Sequence, residues 1–222
     1  PSCLYYKAWL YKVTDQREKA LEILKKVEAF PIHTINIERM MAEIYYKNLS
    51  SNGEQALYYY QKVRDAEPDE AVNYFYLGTC CRYLDRYEEG KQYFMKELEL
   101  DPDDVDAYKG LSFIYEFEKD YEKTLEMLEK MVSMTGDAER RAGLHYRRYR
   151  IYSRMGKVKE AIKALDETEK TYDAYYNPRA KFDMYTMAGM WDEARKVLAD
   201  WEKSGEDMKV YYDRMVGFYL MQ

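Results

Sequence analysis

The sequence predicts an all-α chain of stacked antiparallel helix pairs, about six of them, with a further helix at the end. Three observations carry this. Residues 74–102 and 108–136 repeat each other at a constant offset of 34, pairing Tyr74 with Tyr108, Leu77 with Leu111, Tyr87 with Tyr121 and Phe94 with Leu128. Self-similarity at such a period marks stacked supersecondary units. A small residue recurs within each unit, at Ala20, Ala56, Gly90, Thr124, Ala161 and Ala194, with spacings of 36, 34, 34, 37 and 33. Apolar residues fall at helical spacing in "ALEILKKV" (20–27) and "AIKALDET" (161–168), and no strand is evident.

The pairs begin near residues 1, 35, 71, 105, 142 and 175, and "MKVYYDRMVGFYLMQ" (208–222) forms the last helix or opens a further unit. In most pairs an aromatic lies nine residues before the small one: Tyr11, Tyr115, Tyr152 and Tyr185. Cys81 takes that place in the third pair, and in the second Tyr45 lies eleven before, because "NLSSNG" adds two residues. Four residues after the small one comes a large apolar group: Leu24, Tyr60, Phe94, Leu128, Leu165 and Leu198. Turns fall at "LDR" (84–86), "EKD" (118–120), "MGK" (155–157) and "AGM" (188–190). "DPDD" (101–104) ends one helix at Pro102 and offers aspartates to cap the next, and "EPDE" (67–70) should do the same.

The small residues have a packing reason: where helices cross closely, a larger side chain holds the backbones apart. One pair cannot bury its apolar face alone, so stacking makes the core continuous and bows the array. No long linker divides the chain, which predicts one repeat domain over 1–222. The start at Pro1 rather than methionine suggests a piece of a longer chain, in which a leader or anchor would not be visible here.

The period of 34 and the run "YLG…Y…RYEEGKQYF…LELDP" (76–102) resemble the tetratricopeptide repeat family, and the resemblance extends over nearly the whole chain. It implies a right-handed superhelical solenoid whose first helices line a concave groove. It departs after residue 142, where the family's small residue of the first helix becomes Tyr149 and then Phe182. Carried over position by position, the groove-facing residues are Tyr5, Tyr6 and Trp9 in the first pair, and Phe75, Tyr76, Thr79, Arg82 and Tyr83 in the third. The fourth supplies Asp106, Lys109, Phe113, Glu116 and Phe117, and the fifth Tyr146, Arg147, Arg150, Ser153 and Arg154. One subclass of the family clamps chaperone C-terminal carboxylates with lysine, asparagine and arginine. The matching places here hold Tyr5, Trp9, Met40, Val72 and Tyr76, so that clamp is missing.

Composition narrows the function. The chain is acidic, at −6 with a pI near 5.2, which disfavours general binding to nucleic acid or membrane surfaces. Cys3, Cys80 and Cys81 form no disulfide framework and suggest a reducing, cytoplasmic setting. No apolar run approaches the ~20 residues that span a bilayer. His33 and His145 lack metal-ligand spacing, and the adjacent Cys80 and Cys81 point to different helix faces, as buried thiols would. No glycine-rich phosphate loop follows a strand. The sequence thus predicts no enzyme, no cofactor and no metal.

What remains is a surface for a protein or peptide. From Arg140 to Lys159 there are eight basic residues and no acid. On a helix, Arg147, Arg150 and Arg154 fall within an arc of about 60°. Such guanidiniums grip carboxylates or phosphates in pairs of hydrogen bonds, and aromatic neighbours add rigid contact area. The expected function is therefore a scaffold that binds a peptide with acidic side chains, a C-terminal carboxylate or a phosphate. The plainer expectation for the basic run is a solvated face, with the arginines paired to acids such as Glu116 and Glu118. The sequence is also compatible with an accessory domain of a larger enzyme or chaperone-related protein, with an RNA-reading helical repeat, and with self-association through Val216, Phe218 and Leu220.

Overall fold

In the computed structural model, residues 2–28, 35–175, 177–204 and 208–220 are described, the side chains of 2, 28, 175, 204, 208 and 218–220 excepted. The described residues form thirteen α-helices, one 3-10 turn at Asp173–Tyr175 and no strand. They follow the expected pairing. The pairs are α1 (Ser2–Val13) with α2 (Arg17–Glu28), α3 (Ile35–Tyr46) with α4 (Leu49–Ala66), and α5 (Ala71–Tyr83) with α6 (Tyr87–Leu100). Next come α7 (Val105–Phe117) and α8 (Tyr121–Met134), α9 (Ala138–Arg154) and α10 (Val158–Thr171), then α11 (Pro178–Met187) and α12 (Trp191–Ser204). The last helix is α13 (Met208–Leu220). No described helix is long and apolar enough to cross a membrane.

The repeat residues take the roles that their spacing implied. Ala20, Ala56, Thr124, Ala161 and Ala194 have no exposed surface, and Gly90 is buried. The large groups four residues on are buried as well, from Leu24 to Leu198. The recurring residue nine before the small one has a backbone role. Where a first helix ends, the next residue but one turns left-handed, at Asp15, Asp85, Gly156 and Gly189. The following amide then donates back to the carbonyl of Tyr11, Cys81, Tyr152 or Tyr185, at 2.8, 2.8, 2.9 and 2.9 Å. A second bond runs from the left-handed residue to the carbonyl three before it, completing a Schellman stop. Lys119, in the "EKD" turn, is left-handed too.

Capping follows expectation in one place and departs in another. Asp104 accepts from the Asp106 and Ala107 amides at 2.7 and 3.2 Å, so it starts α7 as its position implied. Glu70 stands at the same place before α5 and makes no side-chain cap bond, because its longer chain is a poorer N-cap. Instead, Asn73 donates to the Glu67 carbonyl at 3.0 Å. Two equivalent tyrosines fasten the loops: the Tyr74 hydroxyl donates to the Pro68 carbonyl at 2.9 Å, and that of Tyr108 to Pro102 at 3.1 Å. This gives the Tyr74–Tyr108 repeat a physical cause.

The chain divides into two compact units, Pro1–Glu118 and Lys119–Gln222. In the first, the core runs through Ala8, Leu24, Met41, Tyr60, Leu77 and both Cys80 and Cys81. Burial pushes each of these two thiols up to about 12, so both stay protonated. In the second unit, one cluster packs Tyr146, Tyr149 and Tyr152 of α9 against Ala161, Leu165, Ala180 and Met184. The bulk of Tyr149, where the repeat pattern has a small residue, is thus met by small residues on α10 and α11. Another cluster centres on Trp201, with Phe182, Leu198 and Tyr211. His33 and the side chains of Phe218 and Leu220 lie outside the described residues. Val216 is exposed.

Candidate functional site

A cleft of about 530 Å³ opens in the first unit, bounded by the end of α3, the α3–α4 connection, α5 and α7. Its floor is Phe94, which is 1% exposed. Two glycines make the floor possible. A methyl group on Gly78 would stand 2.8 Å from the Phe94 ring, and one on Gly110 would overlap it. Both helices therefore leave a gap for the ring that α6 inserts.

Arg82 dominates one wall. Its guanidinium lies 4.5 Å from the centre of the Tyr83 ring and 4.7 Å from that of Phe113. Such contacts hold the guanidinium on aromatic faces while leaving its N–H groups available in the guanidinium plane. Lys109 also lines the cleft and makes a 3.5 Å contact with Asp106, in which both side chains are exposed. With Lys47 also in the lining, three cations face one carboxylate, Asp106. Tyr83 and Phe113 are 54% and 45% exposed, so large apolar area remains open to a partner.

The remaining wall comes from the longer α3–α4 connection. Here no left-handed stop forms. Lys47 and Asn48 lead into one helical turn at 49–51, broken by non-helical backbone at Asn52 before α4 proceeds. The turn is anchored by Leu49, which packs on the core, and by Gly53, where a methyl would come within 2.9 Å of Leu84. Ser50 donates to the Asn48 side chain at 2.9 Å. The two extra residues of "NLSSNG" thereby bring Lys47, Asn48, Leu49 and Ser50 to the cleft. Tyr46 beside them is raised above its ordinary range by burial, while a hydrogen bond with Thr79 pulls the other way.

Seven of the residues expected from the sequence meet in this cleft: Phe75, Thr79, Arg82, Tyr83, Asp106, Lys109 and Phe113. Others do not line it. Tyr76 stacks on Tyr60 with ring centres 4.5 Å apart and faces a second, smaller cleft. Phe117 is exposed and leans on Tyr87 at 4.4 Å. Tyr5 packs edge-on to Tyr6 at 5.8 Å, and Trp9 is exposed on α1.

Tyr146, Arg147, Arg150 and Arg154 belong to α9 in the second unit. Tyr146 is core-facing, 5.3 Å from Tyr149, and its hydroxyl lies 3.4 Å from the Asn177 amide. Arg150 and Arg154 are exposed and Arg147 is half-buried. Their neighbour Arg148 donates to Glu167 at 3.1 Å, and Lys157 comes within 3.9 Å of Glu122, so part of the basic run is internally paired. Glu118, which the sequence offered as a partner for these arginines, is held by Lys91 at 3.0 Å instead.

Residue spacing missed Tyr46, the Lys47–Ser50 turn, Phe94 and Gly110. Their signals were present: the two added residues at 48–53, and glycines at 78 and 110 facing the large residue of α6.

The fold is that of tetratricopeptide-like helical repeats. Among solved structures, the chain is similar to the MamA protein at 20% identity, with a TM-score of 0.63 over 79% of this chain and 94% of that one. It is also similar to YrrB, described as "a TPR protein with an unusual peptide-binding site", at 16% identity and TM-score 0.63, over 78% and 86% of the two chains. PilW, a type IV pilus biogenesis factor, gives 16% identity and TM-score 0.59 over 91% and 92%. A family model described as "Regulator of microtubule dynamics protein 1-3" matches residues 32–111, a stretch that holds α3 to α6 and the start of α7. No curated protein matches the sequence.

Proposed function

We propose that this chain is a non-catalytic interaction module that binds a peptide carrying acidic and aromatic side chains in the Arg82 cleft. The observation that carries the proposal is the Arg82 guanidinium held between two exposed rings, in a cleft whose other ionic residues are Lys47, Lys109 and Asp106. A carboxylate or phosphate would take paired hydrogen bonds from the guanidinium, and an aromatic side chain would cover Tyr83 and Phe113. YrrB, whose description names a peptide-binding site, lends support through its similar fold. The pairing of Arg148 and Lys157 with acids leaves fewer cations of the α9 basic run for a nucleic-acid reading, which the acidic balance of the chain also disfavours.

The test is fluorescence polarisation with peptides selected against this chain from a random display library. Acidic and aromatic residues should be enriched, and Arg82→Gln should weaken the best peptide by about tenfold or more, as loss of a charged hydrogen-bonded contact does. Enrichment of neither residue type, or an Arg82→Gln variant that binds as well as wild type, would reject the proposal. The family model brings a second assay: co-sedimentation with microtubules, repeated with Arg82→Gln, asks whether that polymer presents the peptide.

A further inference from the structure

A second cleft, of about 360 Å³, lies in the first unit between α3, α4 and α5. It adjoins the first through the tyrosines, since Tyr46 of the first cleft meets Tyr76 of the second edge-on at 5.0 Å. Its charge is opposite. Glu43, Glu67 and Glu70 line it, against one cation, Arg39. Arg39 is ion-paired with Glu67, and Glu43 with Lys12 from α1. Glu70 is exposed and makes no side-chain cap bond to the helix that it precedes.

An acidic lining alone is no site. The independent sign is Tyr60, which also lines this cleft. The side chain is 1% exposed, and its hydroxyl has no hydrogen-bond partner among the described residues. Leaving a buried hydroxyl unsatisfied is costly, so such groups are regularly completed by a ligand or water. Burial, with Tyr76 and the Glu43 carboxylate nearby, pushes this phenol far up, so it remains a neutral hydroxyl with lone pairs to offer. The half-buried Tyr76, stacked on Tyr60, adds one aromatic ring to the lining, of the kind that attracts cations. A metal ion is a poor fit, since no described group of three or more His, Cys, Asp or Glu is arranged to hold one.

We propose that this second cleft takes the ammonium of a lysine or the guanidinium of an arginine from the same peptide that occupies the Arg82 cleft. The proposal rests on that peptide reading and deepens it. The two clefts would read a peptide of mixed charge in a fixed direction, acid and aromatic at one end and base at the other. A purely acidic ligand would meet like charge in the second cleft, which supplies discrimination as well as affinity.

Display selection tests both readings, and they fail separately. Here a basic residue should be enriched at a constant offset from the acidic or aromatic one. Exchanging it for glutamine in the winning peptide should weaken binding about tenfold, and so should Glu70→Gln in the protein; the two losses should not add, as for contacting partners. The Glu70 side chain is exposed and caps nothing, so this variant keeps the fold. Tyr60→Phe should raise the Tm of the free protein and weaken the winning peptide. No basic enrichment, additive losses, or a lowered Tm for Tyr60→Phe would overturn the second cleft whatever happens at the first. Basic enrichment sensitive to Glu70→Gln, without any acidic or aromatic preference, would overturn the first cleft and the shared peptide, and leave only the second cleft's preference for a cation.

Discussion

Two stretches of this chain offer arginine among tyrosines, the end of α5 and the middle of α9, and the fold uses them in opposite ways. At the end of α5, Arg82 lies on Tyr83 and Phe113, both of which face solvent across a cleft. On α9, Tyr146, Tyr149 and Tyr152 turn into the core of their unit, and Arg148 is spent on Glu167 and the ring of His145. The denser cluster in the sequence is thus the more structural one. Local composition does not decide whether an arginine is a contact for a guest. That depends on whether neighbouring helices bring up a carboxylate to consume it or a ring to hold it open.

The contrast should break first at Phe94. Replacing this buried floor residue by alanine should cost about 3–5 kcal/mol of stability, as deleting a buried ring does. Urea unfolding measures the loss. The Arg82 wall should lose its shape with it, since the gap left by Gly78 and Gly110 would have nothing to fill it. A cost below about 1 kcal/mol would mean that α5 and α7 collapse onto one another and that the cleft does not depend on α6.

The two units should also respond to acid in opposite directions. Glu97 in α6 is fully buried, and burial, with the carboxylates of Asp104, Asp106 and Asp101 nearby, pushes it up to about 8. Its folded value is raised, so the folded chain holds a proton that the unfolded chain releases above its ordinary value of 4.5. The first unit should therefore lose stability as pH rises from about 5 to 8, by on the order of 3 kcal/mol, and Glu97→Gln should flatten that slope. His145 behaves in the other sense. Burial lowers it, Glu167 opposes, and Arg148 and Arg141 add to the lowering. The unfolded chain then takes up the proton first, so the second unit should weaken as pH falls below its ordinary 6.5. Hydrogen exchange resolved along the chain, measured at pH 5.5 and 8, reads the two slopes separately. Slopes of the same sign would break the comparison.

A double dissociation between the two arginines sharpens it further. Arg148→Ala should destabilise by about 1–2 kcal/mol, because it leaves Glu167 half-buried without its best donor. It should leave peptide affinity unchanged. Arg82→Gln should do the reverse, with a stability cost below about 1 kcal/mol for an exposed pair of cation–π contacts. If both variants lose stability and neither loses binding, the cleft is only a packing feature.

The sequence disclosed the repeat frame well because that frame rests on local rules. Ala20, Ala56 and Ala161 are small since helices cross there, and Tyr11, Tyr152 and Tyr185 recur at the end of a first helix, where the stop bonds form. The cleft was less legible because it depends on differences between units. Lys47 to Ser50 reach it only through a two-residue lengthening whose direction no periodicity encodes. Phe94 looks like any buried repeat residue until the glycines on two other helices are set beside it. Tyr76 was placed with Phe75, yet one residue is about 100° of helix and directs it to the other cleft.

The finest comparison lies in the turns. Gly156 and Gly189 take the left-handed place at φ 69° and 70°, while Asp85 and Lys119 take it at 57° and 62°. Any residue with a Cβ is strained by roughly 1 kcal/mol in that conformation unless something offsets it. Asp85 has an offset, since its carboxylate accepts from the Tyr87 hydroxyl at 2.7 Å. Lys119 is exposed. Lys119→Gly should therefore stabilise by about 0.5–1 kcal/mol, whereas Asp85→Gly should be near neutral. Gly156→Ala should cost about 1 kcal/mol through backbone strain alone, because a methyl there meets nothing within 4 Å. Equal responses at Asp85 and Lys119 would show that the Tyr87 bond does not compensate the turn, and that steric strain alone ranks these stops.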